Sequence, residues 1–329
     1  MTQRPVDVVY TWVDGNDPAL RAKRRGYMHS GAEEKCSDVG GATRYSSLGE
    51  LWWSVASVNR FAPWVRKIFI VTDGQRPGVV DWIKTQFDNP IPIEIVDHSV
   101  IFRGYEHLLP TFNSLSIETM LWRIPGLADD YIYMNDDMFF VAPNAVTDRF
   151  APDGSLVNYG RRMDAAFCRF LFWLKPKKHG FKAPGYKNAM FNSAALLHSR
   201  HFDYYSHSAV VQRRSLLEDY FTAHADLLEK NASYRFRSHE QFSPQALCLL
   251  LAERAGCLRN VGAGRTAFFK ITPEKGDKYV ATKIRKAEDS HAIQGCANSL
   301  DQATEEQRRE FRTWICSLLN VTLPDFETV

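Results

Sequence analysis

Asp130-Tyr131-Ile132-Tyr133-Met134-Asn135-Asp136-Asp137-Met138-Phe139-Phe140 is a hydrophobic run broken by an amide and two adjacent carboxylates. Tyr131 to Met134 lack the polar alternation of a half-exposed strand, as expected for an interior strand of an α/β sheet covered on both faces. The run therefore reads as a buried strand that delivers Asp136 and Asp137 to its end. Carboxylates are rarely buried without partners, so a pair at that place calls for a cation, a basic side chain or solvent. An isolated Asn-Asp-Asp can also be a turn whose acidic residues cap the next segment. The surrounding chain bears on the choice.

Upstream, the same pattern recurs. The β-branched and aromatic run Val6 to Val13 stops at the turn signal Asp14-Gly15-Asn16-Asp17, Lys67 to Thr72 stops at Asp73-Gly74-Gln75, and Ile91 to Val96 ends in Asp97-His98. Between them lie helical patterns. Leu48, Leu51, Trp52, Val55 and Val58 recur at helical spacing behind the candidate caps Ser46 and Ser47, and Ala62-Pro63 ends that helix. Val79 to Phe87 is a short helix, and Asn113 to Ile124 another, capped by Asn113 or Ser114. Strands alternating with helices predict a parallel sheet, and such sheets bind ligands beyond the carboxyl ends of their strands. Four strands would thus bring Asp14, Asp73, His98 and Asp136 to one edge. Residues 18 to 43, charged and containing Gly40-Gly41, read as an exposed loop or lid.

The second half is punctuated by Gly and Pro and predicts helices from about Val210 to Glu229 and from about Glu240 to Ala255. Arg213, Arg214, Arg235 and Arg237, with His207 and His239 nearby, form a candidate anion site, although an arginine on a helix is more often a solvated face or an ion pair. Asn188 and Asn192, four apart, would share one helix face. Across 329 residues, 41 basic side chains oppose 38 acidic ones, which argues against a dedicated nucleic-acid binder. The Trp173-to-His179 patch is aromatic and basic; it is a solvated loop or a contact for phosphate, an anionic glycan or a membrane surface. The six cysteines form no CxxC pair, which disfavours structural zinc and leaves reduced core thiols as the expectation. Met1 to Pro5 leads directly into the first strand without an apolar leader, and no apolar run is long enough to span a bilayer, so a cytoplasmic protein is expected.

Val8 to Asp17, Arg44-Tyr45, Ala62 to Gln75, Leu109 to Ser114 and Tyr131 to Asp137 together resemble the conserved blocks of the Stealth family, which includes bacterial capsule polymerases that transfer hexose-1-phosphate and the Golgi N-acetylglucosamine-1-phosphotransferase. The later blocks fit more loosely. His207-Ser208-Ala209 resembles a His-x-Pro with alanine in the proline position. Arg235-Phe236-Arg237-Ser238-His239-Glu240 resembles an Arg-rich segment, and Cys296-Ala297-Asn298-Ser299 keeps the cysteine and asparagine of a Cys-Leu-Asn-Asp block.

The resemblance implies an α/β fold, with a mostly parallel Rossmann-like (GT-A-like) sheet flanked by helices and a mainly helical second lobe. Residues 1–150 would bind the nucleotide sugar, and residues 151–329 would complete the catalytic domain. It implies transfer of a hexose-1-phosphate, such as an N-acetylhexosamine-1-phosphate, from a UDP-sugar to a hydroxyl of an acceptor glycan, with release of UMP; the Trp173-to-His179 patch and the absent leader add the expectation of weak peripheral contact with membrane-associated capsule machinery. Asp136 or Asp137 would hold Mg²⁺ or Mn²⁺ through hard oxygen ligands. Arg235, Arg237 and Arg214 would clamp phosphate, and His239 or one of the aspartates would accept the hydroxyl proton. Trp12 or Tyr10 would lie near the base, with Asp14, Gly15 and Asp17, Asp73-Gly74-Gln75, Arg44, Asn135, Asn188, Asn192 and His207 around the donor. A metal-dependent glycosyltransferase releasing UDP, and an inactive glycan-binding homologue, are the competing readings.

Overall fold

The computed structural model describes residues 4–28, 48–174, 185–205 and 207–325. Strand β1 (Val6–Thr11) leads to helix α1 (Pro18–Tyr27), then α2 (Glu50–Phe61), β2 (Lys67–Thr72), α3 (Val79–Gln86), β3 (Ile93–Asp97), α4 (His98–Ile101), α5 (Ser114–Met120) and β4 (Asp130–Asn135). These strands form a parallel sheet with β1 in the middle: Val9 stands beside Phe69 on one neighbour and Tyr133 on the other, and Thr11 stands beside Asn135. Val8, Val9, Ile68, Ile70 and Ile132 are fully buried, which explains the apolar runs: both faces of the sheet are covered.

The Asp130-to-Phe140 run is two strands. β4 ends at Asn135, and Asp136-Asp137 turn the chain into β5 (Met138–Phe140), which belongs to a different sheet. After β5 come β6 (Leu156–Asn158), β7 (Arg161–Asp164), α6 (Ala165–Leu174), α7 (Tyr186–Leu196) and β8 (His201–Tyr204). The helix expected from Val210 begins instead as β9 (Val210–Arg213), antiparallel to β4. Val210 and Val211 prefer the pleated surface, and they cover what would otherwise be an open sheet edge. Helices α8 (Arg214–Ala223) and α9 (Ala225–Ala232) follow, broken at His224. Helix α10 (Pro244–Arg254) starts later than expected because Ser243 caps it and Pro244 occupies its first turn.

The chain closes with β10 (Leu258–Asn260), β11 (Thr266–Lys270), α11 (Tyr279–Asp289), β12 (Gln294–Asn298) and α12 (Glu305–Leu319). β12 runs antiparallel to β5 and parallel to β11. Residues beyond 150 therefore complete both sheets begun before it, and one continuous hydrophobic core joins the two halves. Part of the expected lid is helix α1: Asp17 caps it by accepting a hydrogen bond from the Ala19 N–H, with Pro18 next in the chain. Ser46, Ser47 and the rest of that stretch lie outside the described residues, as does Cys36. The other five cysteines are free thiols, Cys168, Cys248 and Cys296 buried and Cys257 and Cys316 half-buried.

Candidate functional site

A cleft of about 520 Å³ opens at the carboxyl ends of the parallel strands, where the alternation of strands and helices placed it. Thr11 at the end of β1, Asp73 after β2, His98 after β3 and the Asn135-Asp136-Asp137 turn after β4 all line it. The second half adds His207, Arg237 and the stretch from Ala297 to Gln302. Glu50, Asp73, Asp136, Asp137 and Asp301 make the lining acidic; among the described lining residues, Arg237 is the single arginine or lysine.

The turn itself is held from below and from the side. The Tyr133 hydroxyl lies 2.7 Å from Asn135 Oδ1, 3.0 Å from Thr11 Oγ1 and 3.1 Å from Glu118 Oε1. Ala297 N–H donates to the Asp137 carbonyl at 2.9 Å, and the Cys296 thiol donates to Asp137 Oδ2 at 3.2 Å. Asp137 Oδ1 is buried without a partner. Burial, then the neighbouring charges of Asp137 and Glu50, push the Asp136 carboxyl well above its ordinary range. Burial also raises Asp137, against the lowering pull of Cys296 and His207. Two carboxylates enclosed side by side with an orphaned oxygen fit the approach of a cation, and hard oxygen ligands suit Mg²⁺ or Mn²⁺.

Arg237, in the connection between α9 and α10, donates from Nη2 to Ser114 Oγ at 2.9 Å at the start of α5. Its charge opposes the strong upward push that burial gives Glu118. His98 is buried, which holds its pKa down at about 4 despite Asp73 and Asp97 beside it, so the imidazole is neutral at pH 7. Asp73 is paired with Lys23 at 2.7 Å. Trp12 lines the cleft with its indole N–H buried and unpartnered.

Other expected site residues serve the frame around the cleft. Tyr10 is buried beneath the sheet edge with its hydroxyl 2.8 Å from Ser54. The Asp14 N–H donates to Gln75 Oε1, and Gln75 Nε2 donates to Asp17 Oδ2, so Gln75 ties the first turn to the second. Gly15 accepts from Arg21 Nε, and Gly74, at φ 67°, donates its N–H to Asp97. Asp17, as the cap of α1, already spends its carboxylate on protein donors. Asn188 and Asn192 do share a helix face, and both donate to the His239 carbonyl at 2.8 Å. The His239 side chain is not among those lining the cleft.

Two arginines depart from expectation. Arg235 lies over the Tyr27 ring at 4.8 Å and outside the cleft lining. Arg214 sits at the opposite edge of the sheet, where its N–H donates to the Asp129 carbonyl and its side chain pairs with Glu218 at 2.9 Å. It opens α8 directly after β9, and β9 runs antiparallel to β4, so its end lies at the amino end of the parallel strands. Arg44 lies outside the described residues.

Sequence reasoning did not single out Glu50, Ser114, Cys296, Asn298 or Asp301 as site residues. Glu50 was hidden as one more polar residue opening a helix. The last block was visible only through its partial resemblance, because an antiparallel pairing of β12 with β5 leaves no local signal in either strand.

The chain matches conserved region 1 of the Stealth proteins over residues 4–32 and conserved region 2 over residues 44–157. The exopolysaccharide phosphotransferase SCO6021 of Streptomyces coelicolor is 32% identical over 312 residues, covering 92% of this chain and 53% of the relative. SCO6023 of the same organism is 45% identical over 150 residues, 46% of this chain and 24% of the relative. The exopolysaccharide phosphotransferase CpsY of Mycobacterium tuberculosis is 32% identical over 245 residues, 72% of this chain and 42% of the relative. The chain thus spans about half the length, or less, of these curated relatives. Among solved structures, the galactosyltransferase LgtC in complex with donor and acceptor sugar analogs is a distant likeness, with 12% identity, a TM-score of 0.43 and coverage of 97% of this chain and 98% of that one. With both conserved regions in place and homologous exopolysaccharide phosphotransferases matched over most of its length, the chain belongs to the Stealth family.

Proposed function

We propose that this chain transfers a hexose-1-phosphate from a UDP-sugar to a hydroxyl of an acceptor glycan, releasing UMP, in bacterial exopolysaccharide or capsule synthesis. The observation that carries the reading is the meeting, in one cleft, of the Asp136-Asp137 pair from the sheet with Arg237 from the second half. A diphosphate would be repelled by the acidic lining alone. Phosphoryl transfer needs in-line positioning, neutralised phosphate oxygens and a base for the attacking hydroxyl.

In this reading Arg237 grips a phosphate oxygen through its planar fork, held in place by Ser114. Trp12 offers an aromatic face to the base. Asp136, whose raised pKa brings it nearer the working pH, takes the proton of the acceptor hydroxyl while the hydroxyl oxygen bonds to the phosphorus next to the sugar and the bond to the UMP oxygen breaks. A divalent cation held at the Asp136-Asp137 turn would supply charge neutralisation at the phosphates. His239 supports the site through its backbone, fixed by Asn188 and Asn192.

No helix among the described residues is long and apolar enough to cross a membrane. On α6, Phe167, Phe170, Leu171 and Leu174 are exposed and spaced to share one helix face, which supports a peripheral contact with the cytoplasmic surface of a membrane where capsule is made. The Trp173-to-His179 patch that first suggested such a contact follows on from it, with its basic residues outside the described ones.

The test is incubation with UDP- and GDP-sugars, a divalent cation and acceptor glycan, followed by identification of the released nucleotide. UMP is expected. Release of UDP would instead make the chain a glycosyltransferase, and release of no nucleotide from any donor would leave a glycan-binding protein.

A further inference from the structure

The connection from β11 into α11 is basic where the chain as a whole is balanced. From Lys270 to Lys286 six basic side chains oppose the two acidic ones, Glu274 and Asp277, against 41 and 38 for the full sequence. Lys270, Lys275 and Lys286 are exposed, and Lys283 is half-buried. Whereas Lys67, Lys84 and Lys230 each pair with a carboxylate, these four lysines form no salt bridge among the described residues. Exposed Glu274 is drawn below its ordinary range by a backbone hydrogen bond first, with the charges of Lys270 and Lys275 adding to the pull.

The basic stretch begins at the cleft. β11 runs parallel to β12 with Lys270 beside Asn298, and Asn298 lines the cleft. Residues two apart on a strand share a face, so Lys270 stands on the same face as Phe268, whose ring stacks against His207 of the cleft lining at 5.2 Å. The Lys270 N–H donates to the Tyr279 hydroxyl at 3.2 Å, and the ammonium groups of Lys275 and Lys283 lie 6.0 and 5.7 Å from the centre of the Tyr279 ring. Burial first, then the charges of Lys286 and Lys275, lower the Lys283 pKa, so these cations share one region of space. The turn that presents Lys275 is braced from beneath, where the buried Gln307 amide donates to the Thr272 and Gly276 carbonyls at 3.2 Å each.

Each hexose-1-phosphate transferred leaves one phosphodiester, which stays negatively charged at neutral pH, so a glycan extended by the activity proposed above becomes a polyanion. Around Arg237 the cleft itself is acidic and repels such a chain. The lysines just beyond it attract phosphates as point charges, and the Tyr279 ring offers an apolar face to a sugar between them. We propose that the face formed by Lys270, Lys275, Tyr279, Lys283 and Lys286 holds the phosphodiester-linked acceptor chain as it leaves the cleft. The inference rests on the hexose-1-phosphate reading and adds an acceptor class to it: a glycan already carrying sugar-phosphate repeats is preferred to an uncharged one. No bond is made or broken at this face.

The experiment measures, by fluorescence anisotropy, binding of the full chain to a labelled synthetic tetrasaccharide of phosphodiester-linked N-acetylhexosamine units, to its uncharged glycosidic counterpart and to dextran sulfate of similar length. Lys275→Ala with Lys283→Ala and Lys286→Ala should weaken binding of the phosphodiester glycan about tenfold at low salt, the summed worth of three exposed charge pairs. The difference should vanish near 1 M salt, where the screening length falls to about 3 Å. Lys283 is half-buried, so Lys275→Glu with Lys286→Glu, both at exposed positions, serves as the second variant and should weaken binding at least as much. In turnover the variants should raise KM for a phosphodiester-linked acceptor and leave kcat, and both constants for an uncharged acceptor, unchanged. Equal affinity of wild type and both variants for the phosphodiester glycan would overturn the proposal, as would dextran sulfate binding as tightly as that glycan. Charge-dependent binding in a protein that releases no UMP would uphold this face and remove the proposed function; UMP release with the same KM for charged acceptors in wild type and variants would do the reverse.

Discussion

In the proposed function the chemistry turns on Asp136 and Asp137, and their state follows from where the fold puts them. Burial first, and then the neighbouring charges of Asp137 and Glu50, disfavour the charged form of Asp136. Because the folded Asp136 pKa lies above the model-peptide value of 3.8, the folded state binds the proton more tightly than the unfolded chain. Its stabilising contribution is therefore complete below that value and is lost as pH rises through the raised folded pKa. The melting temperature of chelator-treated protein should accordingly fall as pH rises from about 4, and Asp137→Asn should flatten the fall by removing the neighbouring charge; paired thermal melts across pH check this. Asp136→Asn with Asp137→Asn should lower nucleotide release by ~10²–10⁴ in rate, as expected for losing a proton acceptor, with circular dichroism unchanged. Arg237→Ala removes a charge-assisted contact worth ~1.5–3 kcal/mol, which corresponds to roughly ten- to a hundred-fold in rate. An Arg237→Ala enzyme with unaltered kinetics would take the phosphate contact away from that residue.

At the scale of elements, β5 and β12 fix how the acidic turn meets the last block, and Arg149 locks them. Its guanidinium is fully buried, donating to Asn144 Oδ1 and Gln294 Oε1 and lying between the rings of Phe140 and Tyr159 at 4.9 and 5.0 Å. Burial draws its pKa down to about 10, still charged at pH 7. Arg149→Ala should cost roughly 3 kcal/mol, from two amide oxygens left unpaired and a cavity, measurable as a shift in the denaturant midpoint. None of this could be read from the sequence, where Arg149 is one polar residue in a loop. What could be read were the elements with their own local signal. Lys67 to Thr72 is a strand end to end, and Asn113 caps its helix as its side chain suggests, accepting from the Leu115 N–H. Val210 to Arg213 was misread because a four-residue strand merging into a helix carries too few residues to show a period of two. Within the site, Asp73, His98 and Asp136 were legible because each follows the end of a strand, whereas Asp14, expected with them, lies outside the cleft lining. Glu50 and Cys296 were not, because their partners lie on elements that meet only in three dimensions.

For the whole molecule, the chain does not divide at residue 150 in any simple way: β9 completes the first sheet and β12 pairs with β5. The fragment of residues 1–150 should therefore fail to fold alone, and the intact chain should unfold in one cooperative transition; a soluble, folded fragment with dispersed amide NMR signals would separate the halves. The exposed stripe on α6 belongs to the same scale. Phe167→Glu with Phe170→Glu should weaken sedimentation with vesicles containing anionic phosphatidylglycerol and leave nucleotide release toward a soluble acceptor unchanged, because both side chains are exposed and neither lines the cleft. The central claim is that the second half brings Arg237 to the acidic turn so that phosphorus, rather than the anomeric carbon, is attacked. Phosphorus NMR of the purified glycan product tests it most directly: a phosphodiester resonance joining sugar to acceptor is the predicted result, and a glycan extended without any phosphorus would contradict it.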